Sequence, residues 1–187
     1  GGLNAAQMLG GQLKAAILLN TEPAFDSAKG AEGLKSADMV VTLSPFKANM
    51  DISDVLLPIA PFTETSGSFV NAEGRLQSFH AVVRPLGETR PAWKVLRVLA
   101  NLLDLQGFDF ETSQDVLSKA TGVPAGQVQS VPAELLDNRT TVVPQAAASG
   151  AADPVVASIY QLDGLVRRST SLQLTADARL AREGAAA

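Results

Sequence analysis

Three short apolar runs, each closed by a polar or proline stop, constrain this chain more than any other feature. Lys14-Ala15-Ala16-Ile17-Leu18-Leu19 stops at Asn20-Thr21-Glu22-Pro23, and Asp38-Met39-Val40-Val41-Thr42-Leu43 stops at Ser44-Pro45. Val55-Leu56-Leu57-Pro58-Ile59 is the third, with Pro58 near its end. Runs of this length without polar alternation read as strands buried on both faces, as in a parallel sheet. Between the first two, Phe25 to Ala37 reads as a helix weakened by Gly30 and Gly33. Strand, helix, strand, loop, strand predicts an α/β fold: an open, mostly parallel sheet with flanking helices. Such sheets bind ligands outside the carboxyl ends of their strands, here Asn20–Pro23, Ser44–Asn49 and Ala60–Gly67.

A β-hairpin insertion is expected next. Ser68-Phe69-Val70-Asn71 and Arg75-Leu76-Gln77-Ser78-Phe79 read as its strands, with Gly74 placed for a left-handed residue in the loop. A helix from about Pro91 to Asp104 follows, with Pro91 suited to its first position. Trp93, Val95, Leu96, Leu99, Ala100, Leu102 and Leu103 cover more than one face of it, which predicts deep burial. Thr112 and Asp115 are spaced as a cap for a short helix to Ala120, closed by Gly122. Beyond Asp137 the composition shifts to Ala, Ser, Gly, Gln and Pro, as in a linker. The expected organisation is a partial α/β domain over residues 1–137, a linker over 138–154 and a small C-terminal segment over 155–187. That segment is too small to fold alone, and its tail from about Ala178 reads as a frayed helix or as disorder.

Composition removes whole classes of chemistry. The 187 residues include no cysteine and one histidine. A disulfide framework, a thiolate zinc site, a cysteine-ligated iron–sulfur cluster and a cysteine nucleophile are therefore excluded within the chain. A multi-histidine metal site is excluded as well. The net charge of −4 argues against nucleic acid as a partner, because phosphate binding needs clustered Lys and Arg. No apolar run approaches the roughly 18 residues of a membrane span, so no membrane insertion is expected. Gly1–Gly11 lacks the basic and apolar regions of a signal peptide, so an intracellular domain is expected, and the start without methionine fits either a tag scar or a cut inside a longer protein. Charged residues make up 18% of the chain, below the roughly 25% of an average domain, as if part of the surface were normally covered.

The densest polar cluster runs from Thr63 to Gln77 and follows the third strand. Glu64, Glu73 and Arg75 within it are equally suited to an ion-pair network and to an acid/base pair. On spacing alone, a loop and hairpin held by Glu–Arg and Asn–backbone hydrogen bonds is the preferred reading. His80 has no companion ligand and reads as structural or exposed. Ser44 and Ser66 lack a nucleophile-elbow context. Gly10-Gly11 precedes a strand instead of following one, which is wrong for a phosphate loop. Asn138-Arg139-Thr140 is a chance glycosylation sequon. Adjacent arginines are solvated by default, but the apolar neighbours Leu165 and Val166 make Arg167 and Arg168 candidates for docking onto protein.

The stretch from Asp54 to Gln77, with Leu57-Pro58, Glu64, Gly67, Phe69, Asn71, Glu73-Gly74-Arg75 and Gln77, resembles a signature of the molybdopterin oxidoreductase family. Pro85-Leu86-Gly87-Glu88-Thr89-Arg90-Pro91-Ala92-Trp93 is similar to a second, downstream motif of that family, P-x-G-E-A-R-x-x-W. Ile159-Tyr160, Asp163-Gly164-Leu165-Val166-Arg167-Arg168 and Ser171-Leu172-Gln173 resemble the C-terminal end of the large iron–sulfur subunit of bacterial NADH:quinone oxidoreductase, respiratory complex I. The resemblance implies a fragment of that subunit, with iron–sulfur clusters in the missing N-terminal part and no redox centre here. The implied partners are the rest of the subunit and other peripheral-arm subunits, on the cytoplasmic side of the inner membrane. Glu64, Ser66, Gly67, Asn71, Glu73, Arg75 and Gln77 are then remnants of a cofactor-side loop, with no catalytic or metal-binding residue expected. The alternative is part of a molybdopterin-dependent oxidoreductase of formate-dehydrogenase type, lining its cofactor. A free-standing small-molecule binder using the sheet edge is a weaker third reading.

Overall fold

The computed structural model describes residues 2–11, 13–27, 30, 32–128 and 158–185. The linker expected over 138–154 lies outside them. The chain forms two compact units, Gly1–Leu57 with Ala147–Ala187, and Pro58–Ala146.

The first unit is built on a parallel sheet. Strands β1 (Ala15–Leu19), β2 (Met39–Ser44) and β3 (Val55–Pro58) lie in that order, and β1 pairs with β2 in parallel from Ala15 opposite Met39 to Leu19 opposite Leu43. The apolar run of β2 makes it the core strand: Thr42 and Leu43 are fully buried, and Val40 and Ser44 are buried. Thr42 is buried at little cost because its hydroxyl bonds to Ser53 Oγ at 2.7 Å. Asp54 locks the sheet from outside the strands. Its Oδ2 accepts the Val40 N–H at 2.7 Å, and its own N–H donates to the Val40 carbonyl at 2.9 Å.

Two expectations fail in this unit. β1 is not buried on both faces, because Ile17 is 53% and Leu19 39% exposed. Its apolar residues face outward alternately, and the described residues put no cover on that side. Nor is there one helix over Phe25–Ala37. Helix α2 (Pro23–Asp26) is followed by a single 3-10 turn at Glu32–Leu34. Gly30 sits at φ +55°, where the helix cannot continue. A Cβ on Gly33 would lie 2.1 Å from the Leu9 carbonyl oxygen, so its bare backbone admits helix α1 (Ala5–Gly10). α1 itself starts on an Asn4/Gln7 capping box.

The C-terminal residues of this unit form α5 (Gly164–Arg168), α6 (Thr170–Gln173) and α7 (Ala176–Ala185). α7 carries the buried Ala178, and of the two states expected for this tail, frayed helix or disorder, the described residues are helical.

The second unit holds the hairpin. β4 (Gly67–Val70) and β5 (Leu76–Phe79) pair antiparallel, with Gly67 opposite Phe79 and Phe69 opposite Gln77. Gly74 is left-handed at φ +74°, as its place in the loop requires. Ile59 and Ala60 are the buried anchors of the unit, bridged to Arg90 through the Ala60 N–H and the Arg90 carbonyl at 2.9 Å. Helix α3 (Ala92–Leu102) is capped by Pro91, one position earlier than expected. It is not deeply buried: Ala100 is buried, while Val98, Leu102 and the adjoining Leu103 are exposed. Helix α4 (Ser113–Thr121) has the Thr112/Asp115 capping box and the left-handed Gly122 that its sequence predicts.

Candidate functional site

The polar cluster after β3 is placed by Pro61, which opens a 3-10 turn at Phe62–Glu64. The turn aims Glu64 at the chain that returns past the hairpin, and its Oε2 accepts the Leu86 N–H at 2.9 Å. The Thr63 carbonyl accepts the Val82 N–H at 2.9 Å and the Val83 N–H at 3.3 Å, so two successive residues staple the same return segment. Ser66 Oγ bonds to Ser113 Oγ at the start of α4, 2.8 Å away. Gly67 faces the ring of Phe79, where a Cβ would meet Cζ at 3.0 Å. Phe79 in turn stacks on Phe69 at 5.0 Å between ring centres.

Asn71 is the turn-maker of the hairpin. Its Oδ1 accepts the N–H groups of Glu73 at 3.0 Å and Arg75 at 2.9 Å, as an Asn side chain does when it stands in for backbone in a turn. Glu73 and Arg75 approach to 3.6 Å, both well exposed. Gln77 lies elsewhere. It lines an open groove of about 470 Å³ whose walls include Phe62, Phe69, Phe79 and Val82, with His80 beside it. The structure thus gathers Glu64, Asn71, Glu73 and Arg75 into loop-holding contacts, sets Ser66 against α4, and leaves Gln77 on an aromatic groove. The two carboxylates of the cluster have separate partners, Glu64 the Leu86 N–H and Glu73 the Arg75 guanidinium.

Arg167 and Arg168 fall in the other unit and make its densest set of charged contacts. Arg168 Nη1 and Nη2 donate to Glu22 Oε1 and Oε2 at 2.7 and 3.0 Å, a fork-on-carboxylate pair. Arg167 Nη1 donates to Asp26 Oδ1 at 3.1 Å and to the Gln161 carbonyl at 2.6 Å, and its Nη2 stands 3.4 Å from Glu22 Oε1. Each guanidinium also covers a phenyl ring, Arg167 over Phe25 at 4.7 Å and Arg168 over Phe46 at 4.3 Å. The Arg167 side chain is 7% exposed and that of Glu22 12%. The hydrogen bond from Arg168 holds the Glu22 carboxyl below the usual glutamate range against the opposing effect of its burial, with the charges of Arg168 and Arg167 adding to the lowering. Sequence reasoning singled out the arginines but missed Glu22, Asp26, Phe25 and Phe46. Only the apolar neighbours of the arginine pair signalled that it docks at all.

Among the described residues no three His, Cys, Asp or Glu side chains are grouped to hold a metal ion. No helix among them is long and apolar enough to cross a membrane.

Comparison with known proteins bears on this geometry. Residues 1–102 match the family described as molybdopterin oxidoreductase. A putative formate dehydrogenase of Staphylococcus aureus strain bovine RF122 is 37% identical over 79 residues, 40% of this chain and 8% of that protein. A probable oxidoreductase, YjgC, of Bacillus subtilis strain 168 is 37% identical over 70 residues, 37% of this chain and 7% of that protein. Acetylene hydratase from Pelobacter acetylenicus overlaps 59% of this chain and 17% of its own at 21% identity and a TM-score of 0.45, too loose a likeness to argue from. The chain spans less than a tenth of the relatives it matches. Their names are those of formate dehydrogenases and an oxidoreductase, and none of these names is that of a complex I subunit.

Proposed function

Because the chain belongs to the molybdopterin oxidoreductase family, we propose that it is a structural part of an oxidoreductase's large subunit, walling the redox site and carrying no reacting group itself. One observation carries this reading: the acceptors Glu64 and Asn71 of its motif loop are spent on holding backbone N–H groups. Glu64 holds the Leu86 N–H, Asn71 holds those of Glu73 and Arg75, and Arg75 faces Glu73. A phosphate-bearing pterin needs donors and positive charge aimed at it. Here Glu64 and Asn71 are acceptors with donors already in place, and the one guanidinium, that of Arg75, is exposed beside Glu73. The loop alone does not fit such a ligand, and no step is derived through one. An iron–sulfur cluster fits no better, for want of thiolates.

For the parent protein, the names of the relatives favour a molybdopterin-dependent enzyme of formate-dehydrogenase type. In it this chain lines one side of a cofactor that groups elsewhere in the subunit hold. A second reading rests on the C-terminal segment. Its Asp163–Arg168 and Ser171–Gln173 stretches resemble the end of the large iron–sulfur subunit of respiratory complex I, and they pack in the same unit as β1 and β2. In that reading the chain supports electron transfer from NADH to quinone, next to the rest of its subunit and other peripheral-arm subunits at the inner membrane.

Elemental and pterin analysis of the full-length parent, from cells grown with molybdate, separates the two. Molybdenum with pterin fluorescence and formate oxidation supports the first. Absence of both, with iron and NADH oxidation, replaces it by the second. Stoichiometric iron or molybdenum on this chain alone would overturn the structural role itself.

A further inference from the structure

The arginine pair sits at a telling place. In open parallel sheets the crevice outside the carboxyl ends of the strands is where ligands bind. β1 ends at Leu19 and leads into Glu22, Phe25 and Asp26, and β2 ends at Ser44 and leads into Phe46. Those four residues are the ones that Arg167 and Arg168 engage. We propose that the carboxyl ends of β1 and β2 form a guanidinium-binding site filled by the chain's own C-terminal segment, which closes them to phosphate-bearing ligands.

Three features fit the edge to guanidinium over phosphate. It carries two carboxylates, Glu22 and Asp26, which repel an anion once the arginines are removed. It offers a phenyl face to each cation, an arrangement that attracts positive charge only. It is also closely fitted, since a Cβ on Gly164 would stand 3.0 Å from Glu22 Oε1, tight enough that the carboxylate would have to give way slightly. The segment is braced from behind. Gln173 Nε2 donates to the Tyr160 and Val166 carbonyls, both at 2.9 Å, and Asp163 caps α5 through the Leu165 and Val166 N–H groups. The inference rests on the sheet edge alone and holds for either parent protein.

The test is amide hydrogen exchange on the full chain, with ADP as the phosphate probe. Arg167→Ala with Arg168→Ala is expected to raise exchange about ten-fold or more in both edge segments, 20–27 and 44–49, as well as in α5. Arg168→Lys, which keeps the charge but loses the fork on Glu22, is expected to give a smaller rise in the same places. It serves as the readout if the double variant fails to fold. The exchanged pair Glu22→Arg with Arg168→Glu is expected to restore protection that either single change removes. ADP at millimolar concentration is expected to protect none of these amides in the wild-type chain or in Arg167→Ala with Arg168→Ala. A rise confined to α5, unchanged exchange in Arg168→Lys, no restoration in the exchanged pair, or protection of the edge by ADP would each overturn the proposal.

Discussion

Replacing Leu43 by alanine tests where the core of the first unit lies. Leu43 is fully buried in β2, while Ile17, across on β1, is 53% exposed. Leu43→Ala removes three carbons, worth about 2.4 kcal/mol at about 0.8 kcal/mol per buried methylene. The void is on the order of 80 Å³, and at about 24 cal/mol per Å³ it adds up to about 1.9 kcal/mol if nothing relaxes. The expected loss is therefore about 3–4 kcal/mol, within the usual span for a buried leucine. Ile17→Ala leaves no closed void, because water already reaches that face, and it removes roughly half as much buried surface, so about 1 kcal/mol is expected. Urea unfolding followed by far-ultraviolet circular dichroism, with exchange at the β2 amides, measures both. If Ile17→Ala costs as much as Leu43→Ala, β1 is covered on both faces and β2 is not the sole core strand of the sheet.

Three further outcomes follow from the local contacts. Glu64→Ala should speed exchange of the Leu86 amide about ten-fold, as expected for losing one charge-assisted bond at a partly exposed site, while Glu64→Gln, which keeps an acceptor, should retain most of the protection. Gly33→Ala should lower the melting temperature, with a cost of about 1–3 kcal/mol from forcing α1 away, whereas Gly126→Ala, with open space around it, should be neutral. The Glu22 carboxyl titrates lower in the folded chain than its ordinary value of 4.5, so its contribution is complete above that pH and is lost as pH falls through the lower folded value. An acid titration of α5 amide protection should therefore show loss below about pH 4.5, and Glu22→Gln should flatten that part of the profile.

What the sequence made legible was local. β2 could be read because four of its six residues, Met39, Val40, Val41 and Leu43, are apolar and Ser44-Pro45 stops the run, the α4 cap because Thr112 and Asp115 are three apart, and the hairpin because Gly74 must be left-handed. What escaped depended on distant packing. The helix expected after Phe25 breaks at the left-handed Gly30, and Gly33 then admits the backbone of Leu9, a contact that no periodicity encodes. The exposed faces of β1 and α3 carry the apolar residues of buried elements, yet the described residues do not cover them. In the candidate loop, Asn71 is a residue type able to bind a ligand, and the same two lone pairs serve to make a turn.

The arginine site shows most sharply why such contacts are invisible in sequence and what they must supply. Arg168 and Glu22 are 146 residues apart, against 14 for the Val40–Asp54 contact in the same unit. Closing the longer loop costs about 2 kcal/mol more, at about 0.6 kcal/mol per doubling of length. A single exposed ion pair, worth about 0–1 kcal/mol, would not offset that difference. A forked arginine–carboxylate pair with little exposure, a second arginine on Asp26 and two ring contacts of about 0.5–2 kcal/mol each would. The contacts therefore have to act together, and weakening one of them raises the fraction of time the segment is released without releasing it outright. For that reason Arg168→Lys, a change that conserves charge and removes only the fork, is the informative substitution at this edge.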